Sequence, residues 1–366
     1  MADTNKSDFL TVKCDQCGSQ MKYSANKQSL LCDHCGHTKA LPRERDQIVE
    51  RPLTESFALL RARNVGFGIE TTVYHCNDCG ADVSVDQEQV SFSCPFCAST
   101  NVNEAAQSTR VIQPSGILPF SVPKKKAQEQ FSAWIGTGWF RPNNLKKLAA
   151  LDKLQGVYIP FWTFDAMTRS TWTAQAGYHY YVPVSYTDKD GNRQTRQELR
   201  IRWENANGYY ERFFDDVLII ASDGLSQGEV QSIYPYDLDE VINYDSHYVL
   251  GWECELYQKD VKEGFQMADK LMDSEIRHAC SSRVPGDTHK DLRVNTQKDG
   301  LTFKHILLPI WIAAYVYNGK VFRFIVNGVT GKISGHKPVS WSKILLFVLF
   351  IVGLVLGAVF LSRYLN

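Results

Sequence analysis

The sequence predicts an α+β protein with two N-terminal zinc ribbons, a mainly antiparallel β domain with a few helices, and one C-terminal transmembrane helix. Three observations predict it. Cys14 and Cys17, followed by Cys32 and Cys35, recur as Cys76 and Cys79, followed by Cys94 and Cys97, with the same fourteen residues inside each copy. Stretches rich in Tyr, Val, Ile, Trp and Thr alternate with period two from Val157 to Trp203 and from Tyr209 to Ala221, and strands resume at Leu292. Finally, Ile344 to Leu361 is eighteen residues without a charge or a polar side chain.

The cysteine pattern is that of two tetrathiolate zinc sites. A Cys-x-x-Cys turn delivers two thiolates, and the intervening loop brings round the second pair to complete a tetrahedron. Gly18, Gly36 and Gly80 follow three of the turns, where a tight bend favours positive φ; Ala98 takes that place in the fourth. Disulfides or a redox pair are the competing readings, and four pairs at matched spacing do not suit a redox motif, which is expected once beside a helix. His34, His37 and His75 lie nearby, but four cysteines already fill each shell. About 25 residues cannot bury a core unaided, so the metal supplies folding energy on the order of 10 kcal/mol or more per site. The expectation is Zn²⁺, two per chain and structural, with no open position to activate water. Met21 and Tyr23, and Val83 and Val85, mark short strands inside the loops.

Residues 1–45 are assigned to the first ribbon and 71–105 to the second, with 46–70 a linker between them. Pro52 to Arg63 in that linker reads as a short helix. A second linker, 106–123, carries Pro114, Pro119 and Pro123. The α+β domain occupies 124–340. Lys124 to Ile135 reads as a helix with Ala127, Phe131, Trp134 and Ile135 turned inward, and Leu145 to Leu151 as a short one. Asp188 to Asn192 is a hairpin turn. A longer amphipathic helix follows, with Val261, Phe265, Ala268, Leu271, Met272, Ile276 and Ala279 on one face and Glu275 as its polar intruder. Ile306 to Tyr317 meets Val321 to Val326 across Asn318-Gly319, and Asn327-Gly328 opens the next turn.

The span occupies 344–361, long enough as a helix to cross the hydrocarbon core. Trp341 and Tyr364 flank it as interfacial aromatics, and Lys337 and Lys343 on the near side favour a cytoplasmic bulk. Gly353 and Gly357 share one helical face, through which the span is expected to self-associate or to pair with a partner's span. The chain has 366 residues, 44% hydrophobic, and ten cysteines, eight of them assigned to metal. That usage indicates a reducing compartment, with Cys254 and Cys280 left as buried side chains.

No motif points to catalysis. There is no phosphate loop; Gly328 to Ile333 has the wrong spacing and belongs to a turn. There is no G-x-S-x-G elbow and no H-E-x-x-H helix. Asp215 and Asp216 are adjacent on a strand and so are expected to point to opposite faces. Nucleic acid is disfavoured as well, because Asn64 to Thr109 contains no Lys or Arg while Glu70, Asp78, Asp82, Asp86, Glu88 and Glu104 are acidic.

Five segments carry a resemblance: Gly156 to Asp165, Phe213 to Val217, Tyr234 to Leu238, His305 to Trp311 and Val326 to Lys332. Together with the ribbons they resemble a bacterial family of membrane-attached proteins with ribbons of the transcription-factor-B type. Members are often labelled primosomal protein N′-like or superfamily II helicase-like. The resemblance implies partners of flotillin-like or phage-shock type, a role in envelope stress, and a single-pass location in the bacterial inner (cytoplasmic) membrane. The favoured expectation is therefore a non-enzymatic, membrane-anchored adaptor or scaffold that displays its zinc ribbons in the cytoplasm to recruit protein partners and contacts the lipid bilayer. A membrane-tethered nucleic-acid-binding factor and a hydrolase with an unrecognised site stay open as alternatives.

Overall fold

In the computed structural model, the described residues are 12–45, 48, 50–55, 71–86, 93–104, 112–142, 154–187, 189, 191–317 and 320–365. The expected helix at 145–151, the Asn318-Gly319 turn and the greater part of the helix expected at 52–63 lie outside them. At the described start of that last segment, Arg51–Pro52 pairs with a strand and Leu53–Glu55 is a single 3₁₀ turn.

The first ribbon is a three-stranded antiparallel sheet of β1 (Met21–Ser24), β2 (Ser29–Cys32) and β3 (Thr38–Ala40). All other strands belong to one sheet, which has twelve strands among the described residues. They are β4 (Arg51–Pro52), β5 (Thr71–Cys76), β6 (Asp82–Asp86), β7 (Val102–Glu104), β8 (Gly116–Ile117), β9 (Gln155–Thr187), β10 (Arg193–Ile220), β11 (Ile242–Asn243), β12 (Glu253–Glu255), β13 (Thr288–Tyr317), β14 (Lys320–Asn327) and β15 (Ile333–Gly335). Pairing is antiparallel except for β12 on β9 and β8 on β13. Among the described residues four α-helices accompany it: α1 (Lys124–Gly136), α2 (Gln227–Gln231), α3 (Val261–Ser281) and α4 (Trp341–Leu365).

Three strands of unusual length organise the molecule. β9 has 33 residues, β10 has 28 and β13 has 30. At about 3.3 Å per residue, β9 follows a contour of roughly 100 Å. Its burial changes along the way and explains its sequence. From Val157 to Ala166 both faces are buried, so the run is almost uninterrupted apolar. Next, only Thr168, Ser170, Trp172, Ala174 and Ala176 alternate inward, covered by α3. Beyond Gly177, where β13 begins to pair, β10 is its one strand partner among the described residues, from Tyr178↔Arg202 to Thr187↔Arg193. These ten residue pairs make a two-stranded ribbon roughly 30 Å long. The interval left between the two period-two stretches is strand as well: Glu204 to Gly208 continue β10 opposite Trp172 to Ala176.

α3 lies over the middle of this arm. Asp260 caps it, accepting from the Lys262 and Glu263 backbone N–H groups at 2.9 and 2.8 Å while Glu263 reaches back. Val261, Ala268, Met272, Ile276 and Cys280 form its buried stripe. Glu275 does not intrude there. It is exposed and pairs with Arg212 at 2.7 Å.

Both ribbons are built into the body. Tyr23 of β1 donates its N–H to the Leu250 carbonyl, and its own carbonyl accepts from the Trp252 indole at 2.9 Å. Met21, Tyr23 and Leu30 share one core with Phe120, Tyr158 and Trp311. In the second ribbon, β6 pairs with β12 and the Leu256 N–H reaches the Asp82 carbonyl at 2.9 Å. Phe96, fully buried between its cysteines, joins Ile220, Leu225 and Val230. The proline-bearing segment before α1 is likewise packed: Leu118, Phe120 and Val122 are buried, and β8 lies between β11 and β13.

Candidate metal centres

The four knuckles are copies of one backbone device. Gly18, Gly36, Gly80 and Ala98 donate their N–H groups to the carbonyls of Cys14, Cys32, Cys76 and Cys94 at 2.8–2.9 Å. Each leading cysteine returns an N–H to a carbonyl five residues on, at Ser19, His37, Ala81 and Ser99. This double closure forces the residue after the second cysteine into the left-handed region, with φ of 76°, 75°, 78° and 60°. Glycine meets that demand without strain at three positions, and Ala98 adopts the same conformation.

The closure gathers the thiols. Cys14 and Cys35 Sγ are 3.5 Å apart, Cys17 and Cys32 3.4 Å, and Cys76–Cys97 and Cys79–Cys94 both 3.5 Å. Within each tetrad all four sulfurs lie within 4.8 Å of one another, and neither tetrad takes in a histidine. A tetrahedron with Zn–S of about 2.3 Å has edges of about 3.8 Å, so the two tetrads fit two structural zinc ions. His75 is occupied elsewhere, its Nδ1 2.6 Å from Asp82 Oδ1.

The thiols are predisposed to ionise unequally. Hydrogen bonds from Ser19 lower Cys17 to about 5, and hydrogen bonding with Cys94 leads the effects that lower Cys79 to about 5. Metal capture requires the thiolate form and displaces the protons that remain.

A second cluster corrects the reading of Asp215 and Asp216. A bulge falls between Phe214 and Val217, and Asp216 has φ of +50°. The irregularity breaks the strand alternation, so both carboxylates line one cleft of about 280 Å³ with Glu50, Thr163, Asp239 and Lys304. Lys304 bridges Asp216 at 2.7 Å and Glu50 at 3.2 Å. Burial works to lower the Lys304 amine, but the Asp216, Asp165 and Glu50 carboxylates together outweigh it and hold the amine above its ordinary value. Burial first, then the Asp216 and Asp165 charges, raises the Asp215 carboxyl. A lysine held charged between carboxylates is not a nucleophile. Buried Asp165 anchors the bulge, accepting from the Asp216 N–H at 2.7 Å and the Thr302 hydroxyl at 2.8 Å. Sequence reasoning misses Asp165 and Lys304; the signal was a charge inside each of two long apolar strands.

α4 places Trp341–Ser362 as a helix long and apolar enough to cross a membrane, with none of its described apolar side chains fully buried. Gly353 and Gly357 lie on it with open space around them. Cys254 and Cys280 are fully buried.

No protein-family model matches the chain, and no solved structure matches it. The chain is similar to the uncharacterized protein YdjG of Bacillus subtilis (strain 168), with 25% identity over 323 residues, covering 74% of this chain and 91% of that protein. The tetrads and the C-terminal helix fit a membrane-anchored zinc protein.

Proposed function

We propose that this protein is a non-enzymatic scaffold of a bacterial inner membrane, anchored by α4, whose body engages protein partners in envelope stress or membrane organisation. The observation that carries the reading is the arm. Its two-stranded tip exposes Tyr181 (66%), Leu199 (48%) and Ile201 (39%) on one face. The other face alternates Tyr178, Tyr180 and Tyr186 with Arg196, Arg200 and Arg202. A lone two-stranded hairpin is marginal in water, and apolar residues on such a projection mark a recognition surface. The ribbons serve this scaffold as staples, since their apolar faces are already spent on the core. Partners of flotillin-like or phage-shock type, as the family resemblance implies, suit an assembly at the membrane.

A photo-reactive amino acid at position 181 of the full-length protein in intact cells tests the reading. The expected result is a discrete adduct with another protein, abolished by Leu199→Asp with Ile201→Asp while metal content is unchanged. Adducts to nucleic acid, or none, would sink it. Gly353 and Gly357 are the face through which α4 would pair with another helix. Gly353→Ile with Gly357→Ile is expected to leave insertion intact and weaken cross-linking in the membrane; unchanged cross-linking would make the glycines incidental.

A further inference from the structure

We infer that the loop of residues 136–142 is a second membrane contact, in which Trp139 and Phe140 enter the headgroup region of the bilayer that α4 crosses and so fix the tilt of the body. The inference rests on α4 being a membrane span. At 80%, Trp139 is the most exposed large hydrophobic side chain among the described residues, above even those of α4. Gly138, with φ of +103°, turns the chain so that Trp139 leaves the body directly after α1.

The depth of this loop follows from its neighbour. The Phe140 ring meets the Phe347 ring edge-on, with centroids 5.4 Å apart. Phe347 is six residues beyond Trp341, about 9 Å further along a helix axis at about 1.5 Å per residue. Helical side chains lean back toward the N-terminus, which brings the Phe347 ring somewhat shallower than its Cα. With Trp341 at the interface, Phe140 therefore sits within the roughly 5–10 Å that interfacial elements penetrate.

The joint is stiff, so the loop cannot simply swing away. The Ser340 N–H donates to the Phe140 carbonyl at 2.6 Å, and Lys343 Nζ donates to the Arg141 carbonyl at 2.8 Å. Lys337 Nζ caps the end of α1, donating to the Trp134 carbonyl at 2.6 Å and to Thr137 at 2.8 and 3.1 Å, and lies 4.1 Å over the Trp134 ring. The Arg141 Nε–H reaches the Gly136 carbonyl at 2.9 Å.

The chemistry matches one occupant. Residues 132–142 and 333–343 contain Arg141, Lys337 and Lys343 but no Asp or Glu. Two exposed tryptophans, Trp139 and Trp341 (78%), stand among these cations. Amphipathic indoles beside positive charge suit the interface of an anionic leaflet. A protein partner would have to reach Phe140 where it is already pressed against the span.

The test places an environment-sensitive fluorescent amino acid singly at positions 139, 350 and 181 of the full chain. Each protein is reconstituted into phosphatidylcholine–phosphatidylglycerol vesicles carrying lipids brominated at shallow or deep acyl positions. Position 350 is expected to lose most of its emission to the deep quencher, position 139 to the shallow quencher with a blue shift, and position 181 to neither. Quenching at 350 with none at 139 would overturn the second contact while leaving the anchor standing. No quenching at 350 would instead remove the anchor itself.

Discussion

Chelating zinc, or replacing Cys76 by Ser, is expected to unfold the body as well as the second ribbon. Each site contributes on the order of 10 kcal/mol or more, comparable to the whole stability of a typical domain, about 5–15 kcal/mol. An isolated ribbon would confine that loss to itself. Here β6 is a strand of the main sheet, and Phe96 from the second knuckle is buried against Ile220 and Leu225. Unfolding the ribbon strips β12 of its neighbour and opens a cavity the size of a phenyl ring, which alone costs about 3–5 kcal/mol. Tryptophan emission reads this cleanly, because all eight tryptophans lie outside both ribbons. Cys76→Ser should shift that emission to the red and lower the midpoint of thermal unfolding. Cys14→Ser should do so through Trp252, whose indole holds Tyr23. Emission unchanged after the metal has left would show that the ribbons fold apart from the body.

Acid is expected to destabilise the protein in a window set by His305. This residue is buried, its Nδ1 2.7 Å from the Ile112 carbonyl, and its Nε2 has no hydrogen-bond partner among the described residues. Burial outweighs the carbonyl contacts and lowers the imidazole from 6.5 to about 4. Because the folded pKa lies below the unfolded one, the unfolded chain binds the proton first as pH falls. Stability is therefore lost progressively from about pH 6.5 down to about pH 4, by about 3 kcal/mol in total. His305→Phe keeps the ring among Trp162 and Tyr257 and gives up one hydrogen bond, worth about 1 kcal/mol. Urea midpoints measured against pH should fall less steeply for the variant across that window. Metal release also weakens both proteins in acid, so the difference between the two curves carries the information. Parallel curves would mean that His305 does not resist protonation in the folded state.

The features legible in the sequence are those whose physics is local. Zinc needs four thiolates at a spacing set by one turn, and a bilayer needs about 20 apolar residues in a row. Both can be read without knowing what packs where. α1 and α3 were legible for the same reason, through residues three and four apart such as Ala127 and Phe131, or Ala268 and Met272. The arm was only half legible. Period two located β9, but Glu204-Asn-Ala-Asn-Gly208 falls outside the stretches it marks, and pairing with Trp172 to Ala176 keeps it extended. Asp215 and Asp216 came together through a bulge pinned by Asp165 on another strand, a contact 51 residues away in sequence. The docking of the ribbons was hidden altogether. Tyr23 reads as a strand residue of a small module, and nothing nearby in sequence reveals that its hydroxyl reaches the Phe120 carbonyl at 3.3 Å.

The central claim is that one chain combines a membrane span with two closed zinc sites that staple its body. Metal content of protein extracted from membranes tests it most directly, after an alkaline carbonate wash and purification without added zinc. The account predicts that the chain stays with the membrane through the wash and carries two zincs, one for each cysteine tetrad. Release by carbonate, a zinc ratio near zero, or the absorbance of an iron–sulfur cluster would contradict it.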